Sequence, residues 1–388
     1  MSTPQPPTRK NLLEVAGVFL RLGTTAFGGP AAHIALMQQE IVGRRAWVSA
    51  EEFLDLLGAV NLIPGPSSTE MAIFLGFRRA GWMGLVLGGC CFILPAALIV
   101  SALAWAYMHF GKLPQVEALL YGIKPVIIAI VVQALWKLGR TAAKTRWLVA
   151  IGVAAAALDL LGINVLLVLF GTGLLTATAR ALASRKRPGA ASLSPLLAAT
   201  PALAIGTGAA FTTVPFTISR LFLFFLKVGS VLFGSGYVLL AFLHDDLVTH
   251  WHWLTQSQLL DAVAVGQFTP GPVFTTATFI GYILGGPWAA FVATVGIFLP
   301  SFVFVAISGP LLPRLRRSPV AGAFLDGVNV ASLALMAVVT WQLGSAALVD
   351  WLTVLLAIIG AVVLLRWPVN SAWLVLAGAL IGVARALL

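Results

Sequence analysis

Asn61-Leu62-Ile63-Pro64-Gly65-Pro66-Ser67-Ser68-Thr69-Glu70 is the stretch on which the fold of this chain turns. It returns as Gln267-Phe268-Thr269-Pro270-Gly271-Pro272-Val273-Phe274-Thr275-Thr276. A helix cannot run through Pro-Gly-Pro. Proline lacks the N–H, clashes with the preceding turn and biases the residue before it away from helix. Both copies interrupt apolar runs, where a solvent-exposed turn is out of place.

The composition says what surrounds them. Of 388 residues, 60% are hydrophobic and 10% are charged, and the mean hydropathy is +0.98. That balance marks a polytopic membrane protein. Uninterrupted apolar runs such as 86–103 and 291–307 have helical length and lack the alternation of barrel strands. The net charge of +11 is scattered in short clusters between apolar runs. Lys and Arg flank membrane spans in this way, and no basic stripe for nucleic acid is present. Cys90 and Cys91 are adjacent inside an apolar run and imply neither a disulfide framework nor a metal site. The first ten residues are polar, and no small-residue cleavage site follows them, so no signal peptide is expected.

Working outward from the two motifs, the chain repeats itself. Pro270 lies 206 residues after Pro64. At that offset Phe19-Leu20-Arg21-Leu22-Gly23 meets Phe225-Leu226-Lys227-Val228-Gly229, Phe27-Gly28 meets Phe233-Gly234, and Trp47 meets Trp253. Asp55 likewise meets Asp261. One residue is then lost, and at offset 205 Leu94-Pro95 meets Leu299-Pro300 and Gly122 meets Gly327. The expected organisation is a membrane repeat at 1–183, a linker at 184–215 and a second membrane repeat at 216–388. Each half reads as six apolar segments: 11–39, 52–77, 81–109, 117–139, 146–162 and 163–183, then 216–243, 259–283, 286–311, 322–344, 350–365 and 370–387. The last two of each half are short for a full crossing.

Basic residues assign the orientation. In the first half they follow segments two, four and six (Arg78 and Arg79; Arg140, Lys144 and Arg146; Arg185, Lys186 and Arg187). In the second half they follow segments three and five (Arg314, Arg316 and Arg317; Arg366). The bias has moved by one crossing, so the fold class expected is an all-α polytopic membrane protein of two homologous halves in inverted topology. Inversion calls for an extra crossing near 195–215, about thirteen in all, with the N-terminus inside. Arg44, Arg45 and Arg220 fall on the wrong side of this scheme.

Broken helices inside a membrane expose backbone polar groups that only protein or a water-filled cavity can satisfy. After Pro66, Ser67-Ser68-Thr69-Glu70 suits a helix restart, with the S-x-x-E spacing of a capping box. A restarted helix offers N–H groups and a positive dipole end, which suit an anion. Thr275 and Thr276 follow Pro272 in the same way. The bland alternative is that both breaks only kink helices for packing. The candidate anion-binding set is Asn61, Pro64, Gly65, Pro66, Ser67, Ser68 and Thr69 with Gln267, Thr269, Pro270, Gly271, Pro272, Thr275 and Thr276, joined by Arg21 and Lys227. Those last two occupy matching intramembrane positions, where they either attract an anion or snorkel to the interface. Lys124, opposite Asn329, is a weaker candidate of the same kind. Glu70 either carries a proton or closes its capping box. Asp55 and Asp261 either stabilise a helix start, pair with a base or carry protons. Trp47 and Trp253 read as interface anchors.

Other classes fit less well. No G-x-x-x-x-G-K-[ST] is present, so nucleotide hydrolysis does not drive this chain directly. No nucleophile–base set suggests an enzyme; His244, His250 and His252 share one loop, where His250-x-His252 beside Asp245 and Asp246 could bind a metal, but that loop also reads as an ordinary interface rich in Trp251 and Trp253. No cofactor, metal or nucleic acid is expected.

With these motifs assembled, the chain resembles the CHR family of chromate ion transporters in its long, two-domain form. The resemblance rests on Phe27-Gly28-Gly29-Pro30, Trp47, the Asn61–Glu70 block, Phe233-Gly234-Ser235-Gly236 and the Gln267–Thr276 block. It implies a multi-pass transporter of the bacterial inner membrane that exports chromate from the cytoplasm and confers chromate resistance. The bilayer and chromate or a sulfate-like oxyanion are its implied partners. Sulfate transport, another oxyanion and an anion channel remain alternatives. A homodimer is left open.

Overall fold

A computed structural model describes residues 6–111, 113–142, 144–185, 214–232, 239–316, 318–367 and 369–387. Most of the 184–215 linker, with its expected crossing, and the Phe233-Gly234-Ser235-Gly236 motif lie outside the described residues. Every regular element described is helical. Among the described residues, five helical runs are long and apolar enough to cross a membrane: Ser67–Phe110, Pro114–Ala142, Val165–Ala183, Val273–Ser308 and Pro319–Ala347.

The first half opens with α1 (Arg9–Thr25), capped by the Thr8 hydroxyl. The chain breaks at Ala26–Gly28, where Gly28 takes φ +101°, and restarts as α2 (Gly29–Met37), which widens into a π-helical turn (Gln38–Arg44). α3 (Ala50–Val60) begins at Ser49 and ends at the first Pro-Gly-Pro. α4 (Ser67–Phe110) folds back on itself at Ala80 and Gly81. Gly81 has φ +58° there, a region glycine enters without strain. Gly76 and Gly84 face each other so closely that a Cβ on either would strike the other's carbonyl oxygen, and Gly88 lies against Ala72. Residues 67–79 are therefore about 20 Å of helix, less than a bilayer core, packed antiparallel on the long return.

α5 (Pro114–Ala142), α6 (Arg146–Leu160) and α7 (Val165–Arg185) complete this half. The second half repeats the order as α8 (Ile218–Val231), α9 (Leu239–Phe242) with a π-helical turn (Leu243–His250), α10 (Gln256–Phe268), a 3₁₀ turn (Val273–Thr275) and α11 (Thr276–Arg316). α11 folds back at Gly285 and Gly286. Across that hairpin the Thr278 and Thr294 hydroxyls meet at 2.7 Å. α12 (Pro319–Ala347), α13 (Trp351–Arg366) and α14 (Ser371–Leu387) follow.

The halves are interlocked. α5 packs on α13 and α14 of the other half, and α12 packs on α6 and α7. Small residues permit this: a Cβ on Gly122 would strike the Gly378 carbonyl, and one on Gly327 would lie 2.6 Å from the Thr172 carbonyl. Close backbone approach of this kind drives helix association where lipid removes the hydrophobic gain. α1 against α4 and α8 against α11 form matching pairs. A Cβ on Gly23 would lie 2.7 Å from the Phe92 carbonyl oxygen, and one on Gly229 would strike that of Ile297.

One difference breaks the likeness. α10 packs inward on α4, α5, α12 and α14, whereas its counterpart α3 packs chiefly on α4 and the π-helical turn. Leu260 of α10 is 1% exposed, while the matching Leu54 of α3 is 57% exposed. The buried apolar residues divide accordingly. One cluster joins α8–α12 to α5 and α7, and a second is confined mainly to α1, α2, α3 and the start of α4.

Candidate functional site

The two Pro-Gly-Pro junctions are where the halves meet by backbone. Gly65 donates its N–H to the Leu232 carbonyl at 2.7 Å, and Gly271 donates to the Ala26 carbonyl at 2.9 Å. Leu232 and Ala26 are themselves equivalent, each ending the first helix of its half. Reciprocal contacts of this kind are what a two-fold relation between halves produces. Gly65 and Gly271 hold φ of +137° and +87°. Each junction thus gives its one unencumbered N–H to a helix end that would otherwise present an unpaired carbonyl to the membrane interior.

The restarts differ from the expected form. Pro66 is the N-cap of α4 and makes no side-chain capping bond, so the Ser67–Glu70 capping box does not form. Thr69 and Glu70 donate their N–H groups to the Pro66 carbonyl at 2.8 and 3.0 Å. The Glu70 side chain turns back towards Gly65 instead, where a Cβ would strike its Oε1. In the second half, Thr275 Oγ1 donates to the Pro272 carbonyl and Thr276 Oγ1 to that of Val273, both at 2.8 Å. Ser67, Ser68, Thr69, Thr269, Pro270, Gly271, Pro272, Thr275 and Thr276 are all buried, as are Gly65 and Pro66, while Asn61 is exposed and Pro64 and Gln267 are half-buried.

Asp55 and Asp261 do not sit at helix starts; the N-caps are Ser49 and Thr255. Asp261 is instead held across the halves. Lys124 Nζ lies 3.2 Å from its Oδ1, the Tyr107 hydroxyl donates to its Oδ2 at 3.0 Å, and Lys124 also reaches Ser257 Oγ at 2.7 Å. Pairing is what makes such a buried charge tolerable.

Arg21 and Lys227 also part company. Lys227 forms a 2.6 Å ion pair with Asp246 and lies over the Phe224 ring. Arg21 instead lines a cavity of about 230 Å³ with Thr25, Gln39, Glu40, Arg44 and Arg45. Glu40 is the counterpart of Asp246, and here it is taken by Arg45 at 2.8 Å and Arg44 at 3.3 Å. Three guanidinium groups against one carboxylate leave this cavity positive. The Pro-Gly-Pro residues are not among those lining it. Sequence reasoning singled out Arg21 for its intramembrane position but left Arg44 and Arg45 only as exceptions to the charge bias.

The metal question in the second half has a local answer. Asp245, Asp246 and His250 lie close together, but Asp246 is engaged by Lys227 and His250 by Asp245. His252 bonds instead to the Val248 carbonyl. Trp253 Nε1 donates to the Val214 carbonyl, and Trp47 stacks under Arg79.

Sequence reasoning missed Ser301. It lies on α11 with its Oγ 2.7 Å from where a Gly65 Cβ would stand. A lone hydroxyl opposite Ala96 in the repeat was its only mark.

Interlocked helical halves, paired helix breaks buried in an apolar run and a basic cavity define a multi-pass membrane transporter. The chromate transporter family profile matches residues 13–177 and again 219–383, the same register as the internal repeat, and this chain belongs to that family. It is 33% identical to the chromate transport protein of Cupriavidus metallidurans over 98% of this chain and 97% of that one. It is 33% identical to a probable chromate transport protein of Synechococcus elongatus over 91% and 89%. The chromate transport protein of Pseudomonas aeruginosa is also 33% identical, over 88% and 84%. No solved structure matches the chain.

Proposed function

We propose that this chain exports chromate from the cytoplasm across the bacterial inner membrane and thereby confers resistance to it. The observation that carries the reading is the cavity of Arg21, Arg44 and Arg45 around a single Glu40. Guanidinium groups present planar forked donors to tetrahedral oxyanions. Their net positive field draws a dianion to the mouth of the first half. From there the oxyanion passes to the Ser67–Thr69 and Thr275–Thr276 turns, where the Thr275 and Thr276 hydroxyls leave the Pro272 and Val273 carbonyls to replace water around it.

The transport cycle we infer is alternating access. Two homologous units, α1 to the first arm of α4 and α8 to the first arm of α11, dock unequally on the shared α5–α7 and α12–α14 helices. In the conformer described, α10 is docked and α3 is not. Because the units are homologous, exchanging their roles costs little in new chemistry. In the opposite state α3 docks on α12 and α10 is released. Exporting an anion from a cell that is negative inside gains roughly 2.3 kcal/mol per charge per 100 mV, so no nucleotide is required.

Purified protein in liposomes, loaded with chromate, sulfate or molybdate in turn, tests this. Saturable chromate counterflow that exceeds the other two anions is expected. Sulfate counterflow of equal rate would reassign the substrate. Voltage-driven current without counterflow would make the protein a channel.

A further inference from the structure

We propose that Glu70 is a proton-carrying site completed by Ser301 of the other half, and that each oxyanion crosses the membrane together with one proton. The proposal rests on the oxyanion-carrier reading above and adds its coupling.

Glu70 is 0% exposed, and neither carboxyl oxygen has a hydrogen-bond partner among the described residues. Ser301 Oγ and Thr69 Oγ1 are likewise buried and unpartnered. The Glu70 carboxyl and the Ser301 hydroxyl flank the same small space in front of Gly65. That space lies at the junction Gly65 makes with Leu232. A buried, unsatisfied carboxyl and a buried, unsatisfied hydroxyl facing one small space are unusual, since buried polar groups are nearly always paired.

The charged groups on neighbouring elements do not neutralise Glu70. On α1 and α3, Glu14 is held by Arg79 and Glu52 by Arg78; on α10, Asp261 is held by Lys124. Arg9, Lys10 and Arg21 of α1, His33 of α2, Glu51 and Asp55 of α3 and Tyr282 of α11 make no bond to it. An ionised carboxylate without a cation or donor is costly in such a place, whereas the neutral acid is not. A nearby carboxylate would also repel a dianion at the Ser67–Thr69 turn, while a carboxylic acid donates a hydrogen bond to it. Proton and oxyanion therefore bind Glu70's site in mutual support, and by linkage each raises the affinity for the other.

The site exists once. The repeat places Thr276 opposite Glu70 and Ala96 opposite Ser301. The second junction thus has neither the acid nor its hydroxyl partner, and a single proton accompanies each turnover. A chromate dianion travelling with one proton moves one net negative charge instead of two.

Charge and chromate fluxes measured together in liposomes at fixed voltage read this ratio. Wild type is expected to move one charge per chromate, and a pH gradient at zero voltage should drive chromate accumulation. Glu70→Gln keeps a neutral donor. It should exchange chromate with a shifted KM that no longer depends on pH, move two charges per chromate and lose accumulation driven by the pH gradient. Ser301→Ala should retain transport with weakened pH coupling. Two charges per chromate in wild type would overturn the proposal, as would an unchanged ratio in Glu70→Gln. Accumulation driven by a sodium gradient instead would give the site to a metal cation and overturn the proton assignment. Should Glu70→Gln fail to insert, infrared difference spectra of wild type decide. Chromate should perturb a carboxylic-acid C=O band, and its absence counts against the proposal. Absence of any chromate exchange in wild type would instead defeat the carrier reading.

Discussion

The amide of Gly65 is bonded to the carbonyl of Leu232 at 2.7 Å, joining the helix break of one half to the end of the first helix of the other. Gly271 and Ala26 repeat the bond in the opposite sense at 2.9 Å. The Pro-Gly-Pro motif therefore does more than stop a helix. It turns one N–H towards the other half in a backbone conformation suited to glycine.

Alanine at either glycine should be costly. Positive φ alone disfavours a Cβ by roughly 1–2 kcal/mol. At Gly271 the new atom also meets the Ala96 Cβ at 2.7 Å, and at Gly65 it meets Ser301 Oγ at the same distance. Gly65→Ala and Gly271→Ala should each lower the melting temperature of detergent-solubilised protein and reduce chromate flux, whereas Gly171→Ala, with open space around it, should leave both unchanged.

Arg21 and Lys227 should respond differently despite their equivalent positions. Lys227 is consumed by Asp246, while Arg21 belongs to a cavity with surplus positive charge. Arg21→Gln is expected to raise the KM for chromate about tenfold, equivalent to one charge-assisted hydrogen bond of ~1.4 kcal/mol. Lys227→Gln should act chiefly on stability by stranding Asp246. Equal KM changes in the two variants would refute the asymmetry. Glu40→Gln should strengthen chromate binding at low salt, with the gain fading as salt screens the field.

The Lys124–Asp261 pair should behave as a lock on the docked α10. Removing one partner of a buried pair typically costs about 3–5 kcal/mol. Asp261→Asn and Lys124→Met should each destabilise the protein to unfolding, and the double variant should lose much less than their sum. Additive losses in that cycle would show that the two residues are not coupled.

Opposite-state docking can be trapped. The repeat equivalents of Asp261 and Lys124 are Asp55 and Asn329. With Cys90 and Cys91 replaced by serine, cysteines at 55 and 329 should cross-link during turnover and arrest transport. Cysteines at 124 and 261 should cross-link in the resting protein. A 55–329 pair that never cross-links during transport would rule out the exchange of docked units.

Asp350 provides a pH test outside the spanning helices. It caps α13 and accepts hydrogen bonds from the Tyr121 hydroxyl of α5 at 2.7 and 2.6 Å, and its Oδ2 pairs with Arg385 of α14 at 3.0 Å. The Tyr121 hydrogen bond, followed by the Thr353 N–H, holds its carboxyl down to about 2. A depressed folded-state value means the contribution is full above the unfolded carboxylate range near pH 4, and it disappears as pH falls towards 2. Thermal melts between pH 2 and 6 should show that slope in wild type and lose it in Asp350→Asn.

Much of the architecture was legible along the chain. Proline and glycine act on their own backbone. The breaks at 61–66 and 267–272, the interruption near Phe27-Gly28 and the boundaries near Gly81 and Gly286 were therefore readable as local chemistry. Duplication was legible because both halves retain the same punctuation at one offset. The capping box failed because S-x-x-E spacing says only that a box can form. In the fold, the Glu70 side chain turns back towards Gly65.

Apolar helices, their breaks and their repetition follow from residue type and spacing, and the sequence by itself determined them. Tertiary structure alone decided that α5 packs on α14, that Gly65 bonds to Leu232, that Lys227 is neutralised while Arg21 is not, and that Ser301 stands opposite Glu70. Three of those relations join residues 167 to 256 positions apart, and even Lys227 and Asp246, 19 apart, sit on separate helical elements. No local preference encodes such pairings; they arise when two nearly identical halves close on each other, and small differences between matched residues then acquire different surroundings.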